Sequence, residues 1–472
     1  MSGLFGSLSQ SVTALNAQAR AVEIAGSNLS NVNNASYSRQ RVLIADRGSI
    51  QTPDGPKSLG VEAQAIQQLR DTLVDQQLSR EIGRTAALTS ESEANAKAQA
   101  ALGESIQRTD GANEVSASGA GLAAVVSQFF NAFQAFAARP TDLGERQNLV
   151  QRASIMVDRF QSTDTRLAQL QDDIDTQVTA ESVTTSDLLL SVAELNGQIG
   201  SLELNNPGTA VDLRDRRQAA VEKLAAKIGA ETRPHATERG QVDVFVRDAA
   251  GAPIVLVSLA SVTNDVAFDG TQLTAGTAAT PIVLSSGSIK GLLNARDTTI
   301  QNLRDSIGDF AGQLGESVND AYNPTDATGD FFTFNPADPA GSIALVSGLT
   351  PSTLKASDST APGDNTLASA VAALVSTKFD TAFGDNFDGT FSQYYSGVVS
   401  GFGRTVSSTE GRLEDQKNIE KLVLTQRQGI SGVSMDEEMA DLLKYQRAFE
   451  ASSRMIGIID GMLDVVVNQL VR

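Results

Sequence analysis

Apolar residues at both ends of the chain recur in steps of three and four. Phe5, Leu8, Val12, Leu15, Ala19, Val22, Gly26 and Leu29 make one row. Met439, Leu442, Phe449, Ile456, Leu463, Val467 and Leu470 make the other, with Gln446, Ser453 and Asp460 at the intervening positions. This is the seam of a helix that pairs with another helix. A pair built from the two ends alone buries too little apolar surface to offset ordering its backbone decisively, so the ends are expected to order fully only when neighbours in an assembly cover them. The expected assembly interface is therefore Leu8, Val12, Leu15, Val22 and Leu29 with Leu442, Phe449, Ile456, Leu463 and Leu470.

Between the ends the pattern changes twice. From Gly60 to Asn206 it reads as long helices: Leu122, Val126, Phe129, Phe133 and Phe136 keep helical spacing up to Pro140, and a second run from Leu149 to Leu202 is long enough for a shaft or bundle. After Pro234 it alternates through Val242, Val244 and Val246, then runs through Ile254 to Val257, punctuated by Gly270, Gly276 and Gly287; this predicts a small β-rich insertion. Eight of the 12 prolines lie from Pro234 to Pro362, leaving both ends free to be helical. Helical spacing returns at Ile289 to Tyr322, and again from Leu367 to the end with a break at Gly429 to Val433. The expected fold is mainly α with a β-rich insertion. It comprises a terminal coiled-coil domain (1–45 with 433–472), a long-helix bundle (46–233 with 285–325 and 365–432), a small outer β domain (234–284) and a loop-rich segment (326–364).

Composition narrows the function. At 472 residues with 41% hydrophobic content the chain can bury several cores. A formal charge of -19 opposes phosphate backbones and anionic lipid surfaces, so neither nucleic acid nor membrane is an expected partner. No stretch has the length of uninterrupted apolar sequence that a membrane helix needs, and no secretory signal peptide is visible. With no cysteine, disulfides, thiolate metal sites and cysteine nucleophiles are excluded.

Candidate chemistry is sparse. His235 is the only histidine and stands beside Pro234 in a polar stretch, which reads as a solvated loop residue. Ser352 to Lys355 fits a Ser-x-x-Lys spacing without its companion motifs. Gly119 to Gly121 precedes an apolar helix, but no P-loop lysine follows. Asp385, Asp388 and Gly389 lack the ligand alternation of a calcium loop. The expectation is no enzyme, no cofactor and no metal.

Two terminal motifs carry a specific resemblance. Asn28, Asn31 and Asn33 within Asn28-Leu29-Ser30-Asn31-Val32-Asn33, followed by Tyr37, Ser38, Arg39 and Gln40, resemble the amino-terminal signature of flagellar rod, hook and hook-associated proteins. Val433 to Glu438, Leu442, Tyr445 to Phe449 and Ala451-Ser452 resemble their carboxy-terminal signature. The Tyr-Ser-Arg-Gln ending and the internal stretches Asp212 to Arg217, Gly291 to Asp297, Ser317 to Asn319 and Gly329 to Phe332 resemble the hook-associated branch. That resemblance implies a structural subunit joining hook to filament, self-assembling as a ring of copies through its terminal helices. Implied partners are further copies of itself, the hook protein, a second hook-filament junction protein, and an export chaperone with the flagellar export apparatus. The implied location is the extracellular flagellum, reached through the flagellar export channel without a cleaved signal peptide. The nearest alternative is a hook or rod protein, which would be poorer in long helices over residues 60–206. A more distant one is an axial protein carrying an enzymatic surface insertion.

Overall fold

The computed structural model describes residues 2–34, 36–52, 55–103, 121–238, 240–325, 329–359, 361 and 363–466. The chain opens with helix α1 (Ser2–Ser30). Two antiparallel ribbons follow, β1 (Gln40–Asp46) paired with β4 (Val61–Gln68) and β2 (Ser49–Thr52) paired with β3 (Gly55–Ser58). Helices α2 (Thr72–Leu102), α3 (Leu122–Ala138), α4 (Leu143–Glu203) and α5 (Val211–Ile228) come next. A four-stranded antiparallel sheet then runs β5 (Glu231–Pro234), β6 (Val242–Arg247), β7 (Pro253–Ser258) and β8 (Ser261–Val262). A smaller sheet places β10 (Leu273–Ala275) between β9 (Val266–Phe268) and β11 (Thr280–Pro281).

The chain continues with α6 (Ser288–Asn294), a π turn (Ala295–Ile300) and α7 (Gln301–Tyr322). A small ribbon of β12 (Phe332–Thr333) and β13 (Ala344–Leu345) encloses α8 (Pro339–Ser342). Helices α9 (Thr366–Ala373), α10 (Phe391–Ser431) and α11 (Met435–Asp464) complete the described chain. The fold is mainly α with a β-rich insertion.

One stretch differs from the sequence expectation. Four strands lie between Gln40 and Gln68, although 46–68 fall in the domain read as a helical bundle and 60–68 in the stretch read as long helices. Val61–Gln68 is rich in Ala, Gln and Glu, which favour helix. Antiparallel pairing to β1 and the packing of Ile66 against Ala21, Ile24 and Val42 override that preference. The β-rich segment also begins one strand early, at Glu231.

The chain divides into two compact units. The first comprises Met1–Ala86, Glu181–Gly287 and Gln416–Arg472. Its β-rich part buries Val244, Phe245, Val246, Leu256 and Val257, and α5 contributes Val221, Leu224, Ala225 and Ile228. Helix α5 ends where Gly229 turns left-handed (φ 64°), a conformation glycine adopts without steric cost.

The second unit, Ala87–Ala180 with Ser288–Asp415, is built on aromatic packing. Phe129 and Phe133 meet edge-on at 5.0 Å, Phe331 lies 5.3 Å from Phe133, and Phe310 stacks on Tyr395 at 5.6 Å. The internal motif stretches gain a structural meaning here. Gly291 lets α6 pass the carbonyl of Ala87 so closely that a Cβ would collide with it. Arg296, turned by the π segment, is buried against Asp175 and Asp297. Asn319 accepts the amides of Phe331 and Phe332 at 3.0 and 2.8 Å and donates to the Phe332 carbonyl at 2.9 Å, holding β12 to α7.

Candidate assembly site

The terminal helices α1 and α11 pack against each other, and the end of α1 meets the start of α11, so the pair is antiparallel. On α1 the covered row is Leu4, Leu8, Ser11, Leu15, Gln18, Val22, Ala25 and Leu29; on α11 it is Leu442, Tyr445, Ser452, Ile456, Ile459, Leu463 and Val466. The residues spaced by seven, Leu8, Leu15, Val22 and Leu29 with Leu442, Ile456 and Leu463, are half-buried in these rows. The step between them is three residues, not four. Val12 is therefore 40% exposed, Phe5 57% and Ala19 exposed, while Gln446, Ser453 and Asp460 also face outward. Ser11, Gln18 and Ala25 take the intermediate positions on α1, and Tyr445, Ser452 and Ile459 take them on α11. Phe449, expected in the seam, is 36% exposed, and Leu470 lies outside the described residues.

A second face of α1, carrying Ala17, Ala21, Ile24 and Asn28, is buried. The β1–β4 ribbon packs here, Val42 and Ile66 joining Ala21, Ile24 and Tyr445 of α11 in one apolar cluster. Outside both contacts, α11 leaves Met455, Ile458, Met462 and Val465 between 43% and 54% exposed. Their spacing of three, four and three puts them on one stripe, so the terminal pair keeps uncovered apolar faces on both helices.

The amino-terminal motif residues turn inward. Asn28 is buried with its full hydrogen-bonding capacity used: Nδ2 donates to the Gln40 carbonyl and to Glu438 Oε2, both at 2.9 Å, while Oδ1 accepts from the Tyr37 hydroxyl at 2.8 Å and the Gln40 amide at 3.0 Å. Arg39 reaches Glu437 and Glu438, each at 2.6 Å, and Asp441 at 3.7 Å. Burial works against its charge, yet those glutamates outweigh it and hold its pKa above the ordinary value. Ser38, fully buried, accepts from Arg70 Nε at 3.0 Å, and Gln40 donates to Asp212 at 3.2 Å. Asn31 closes the turn after α1 by donating to the Ser27 carbonyl, and Asn33 is exposed.

Arg70, Asp75, Glu222 and Arg427, which sequence reasoning passed over, complete the anchorage together with Asp215 of the internal motif stretch. Arg70 pairs with Asp215 at 2.7 Å and with Asp75 at 3.5 Å; Arg427 pairs with Asp75 at 3.0 Å and Glu222 at 2.7 Å. Asp75, Asp215 and Arg427 are each less than 8% exposed. Burial pushes the Asp215 carboxyl up to about 7 against the opposing pull of Arg70, and raises Asp75 likewise against Arg70 and Arg427. The available signal was the spacing of Asp212, Asp215 and Glu222, which puts three acids on one face of an otherwise basic helix.

Elsewhere, His235, expected to be solvated, is half-buried: Nδ1 accepts the amide of Glu238 at 3.2 Å and Nε2 lies 3.9 Å from Asp243. Among the described residues no group of three or more His, Asp or Glu side chains is placed to hold a metal, and no helix is long and apolar enough to cross a membrane.

The sequence matches the family described as the flagellar hook-associated protein FlgK helical domain over residues 112–331, and that described as the flagellar basal body rod FlgEFG protein C-terminal over residues 426–470. Flagellar hook-associated protein 1 of Bacillus subtilis (strain 168) is 22% identical, with 99% of each chain aligned. The similarity to a flagellar hook-associated protein therefore runs the length of the chain. The Escherichia coli (strain K12) hook-associated protein 1 is likewise 22% identical over 98% of this chain and 99% of its own. The flagellar hook junction protein FlgK from Burkholderia pseudomallei shares the fold, with a TM-score of 0.62 at 14% identity over 75% of this chain and all of that one. These relatives are structural components of the flagellum, and the rod-type C-terminal match covers the end of α10 and all of α11.

Proposed function

We propose that this chain is a structural, non-catalytic subunit at the junction of hook and filament, assembled as a ring of copies through its terminal helices. The observation that carries this reading is the terminal pair itself: α1 and α11 cover one seam mutually and leave Phe5, Val12, Met455, Ile458, Met462 and Val465 exposed in a chain related end to end to hook-associated protein 1. Apolar stripes of this kind on a helix pair become dry only against further helices. In the ring they meet neighbouring copies, the hook protein on one side and a second junction protein on the other. The long helices α2, α3 and α4 over residues 72–203 favour this reading over a hook or rod protein.

The chain reaches its site through the flagellum's own export channel, with an export chaperone on the way; no disulfide stands in the way of the unfolding this requires. Electron microscopy of cells lacking this chain tests the reading directly. Hooks without filaments, with unpolymerised filament subunit in the medium, are expected. Normal filaments on those cells would refute it.

A further inference from the structure

We propose that α5 is a clamp that fixes the direction of the terminal helix pair, gripping both of its connections to the rest of the first unit. Those connections, residues 31–34 and 36–39 after α1 and 432–434 before α11, are non-helical and would otherwise act as hinges. They run side by side, the Arg39 amide donating to the Ser431 carbonyl at 2.9 Å.

The first connection is held by Asp212, which accepts from Gln40, and by Asp215 through Arg70, whose Nη2 donates to the Ser36 carbonyl at 3.2 Å and to Asp215 at 2.7 Å. Gln68 at the end of β4 also donates to Asp215, at 2.7 Å. The second connection is held by Glu222 through Arg427, one turn before α10 ends. Asp75 lies between Arg70 and Arg427 and joins the two grips into one network. Apolar packing is indifferent to direction, whereas a guanidinium held by two carboxylates accepts one orientation. Shielded from water, that preference is sharpened, and breaking one partner leaves a buried charge. On this reading the motif residues Ser38, Arg39 and Gln40 serve as an internal joint.

The chain has no cysteine, so two introduced ones can be spin-labelled cleanly. Ser201→Cys on α4 and Lys444→Cys on α11 are both at exposed positions of the first unit. Pulsed electron paramagnetic resonance on the full chain is expected to give a single narrow distance distribution. Arg427→Met should replace that peak with a broad distribution while far-ultraviolet circular dichroism is retained, and Arg427→Lys should broaden it partially. A peak as narrow as the parent's in folded Arg427→Met, even with a lowered melting temperature, would reduce the network to a source of stability and overturn the proposal. Should Arg427→Met fail to fold, Gln40→Met, which removes only the side-chain bond to Asp212, decides the matter: broadening supports the clamp, and a parent-like width overturns it.

Discussion

Asn28 shows how one side chain can define a motif. Its amide has two donors and two acceptor sites, and all four are used by groups from α1's own exit loop, from β1 and from α11. Asn28→Asp keeps the shape but turns both donors into acceptors facing the Gln40 carbonyl and Glu438. A loss of about 3 kcal/mol is expected, since buried acceptors then oppose one another; equilibrium denaturation with a probe in the terminal pair measures it. The asparagine was visible in the sequence through the resemblance of its motif, but its chemistry was not, because its partner Glu438 stands at the other end of the chain. Asp215 offers a test by pH. Its carboxyl titrates near 7 in the fold against an ordinary 3.8, so between those values the folded chain holds a proton that the unfolded chain has released. That contribution to stability is complete below the unfolded value and is lost as pH rises through the folded one. Subtracting the stability of Asp215→Asn from that of the parent should give a difference that falls by up to about 1.4 kcal/mol per pH unit across this window and flattens above it. A flat difference throughout would show that the carboxyl is not raised.

The terminal segments were legible as helices, because a seven-residue repeat survives whichever partner covers it. Which intermediate position joins the seam was not legible, since hydrophobicity favours Phe5 and Val12 whereas the structure covers Ser11 and Gln18. The β1–β4 ribbon was hidden for the opposite reason: its strand character comes from pairing and from Ile66 meeting α1, neither of which is local. The two kinds of apolar residue on these helices should respond differently to a charge. Phe5→Asp with Val12→Asp changes exposed positions, so the monomer's melting should stay within about 0.5 kcal/mol of the parent, while cells carrying it should bear hooks without filaments. Ile459→Asp puts a carboxylate at a site only 3% exposed and is expected to cost several kcal/mol in the monomer itself. Calorimetry of the two variants beside micrographs of the cells separates them; a monomer destabilised equally by both would mean that the outer stripe is already covered in the free chain.

Within the whole chain, the β-rich insertion reads in sequence as a replaceable module with its own core, and its bonds to the helices argue for a closer dependence. Asn196 on α4 donates to the carbonyls of Val242 and Leu259 at 2.8 and 3.0 Å, and its own carbonyl accepts from Arg217 at 2.8 Å. Arg217 also donates to the Gly240 carbonyl at 2.7 Å. Burial, with Arg214 and Arg70 nearby, lowers this guanidinium to about 10, so its charge is held largely by neutral carbonyls that the insertion and Asn196 provide. Removing residues 235–284 takes away Val242, Leu259 and Gly240 together, so the Asn196 amide nitrogen loses both of its acceptors and Arg217 keeps only Asn196 Oδ1. A polar group left unsatisfied typically costs about 1–3 kcal/mol, so the deleted chain should unfold below the parent although most of its helices are untouched. Adding Arg217→Met and Asn196→Leu to the deletion removes the stranded polar groups and should recover much of the lost stability, because apolar side chains of similar size need no acceptors. Thermal melting of the three chains is the measurement. If the deletion alone melts with the parent, the insertion is the independent module that its alternating sequence suggests; recovery by the paired substitution would instead place its main structural role in satisfying α4 and α5.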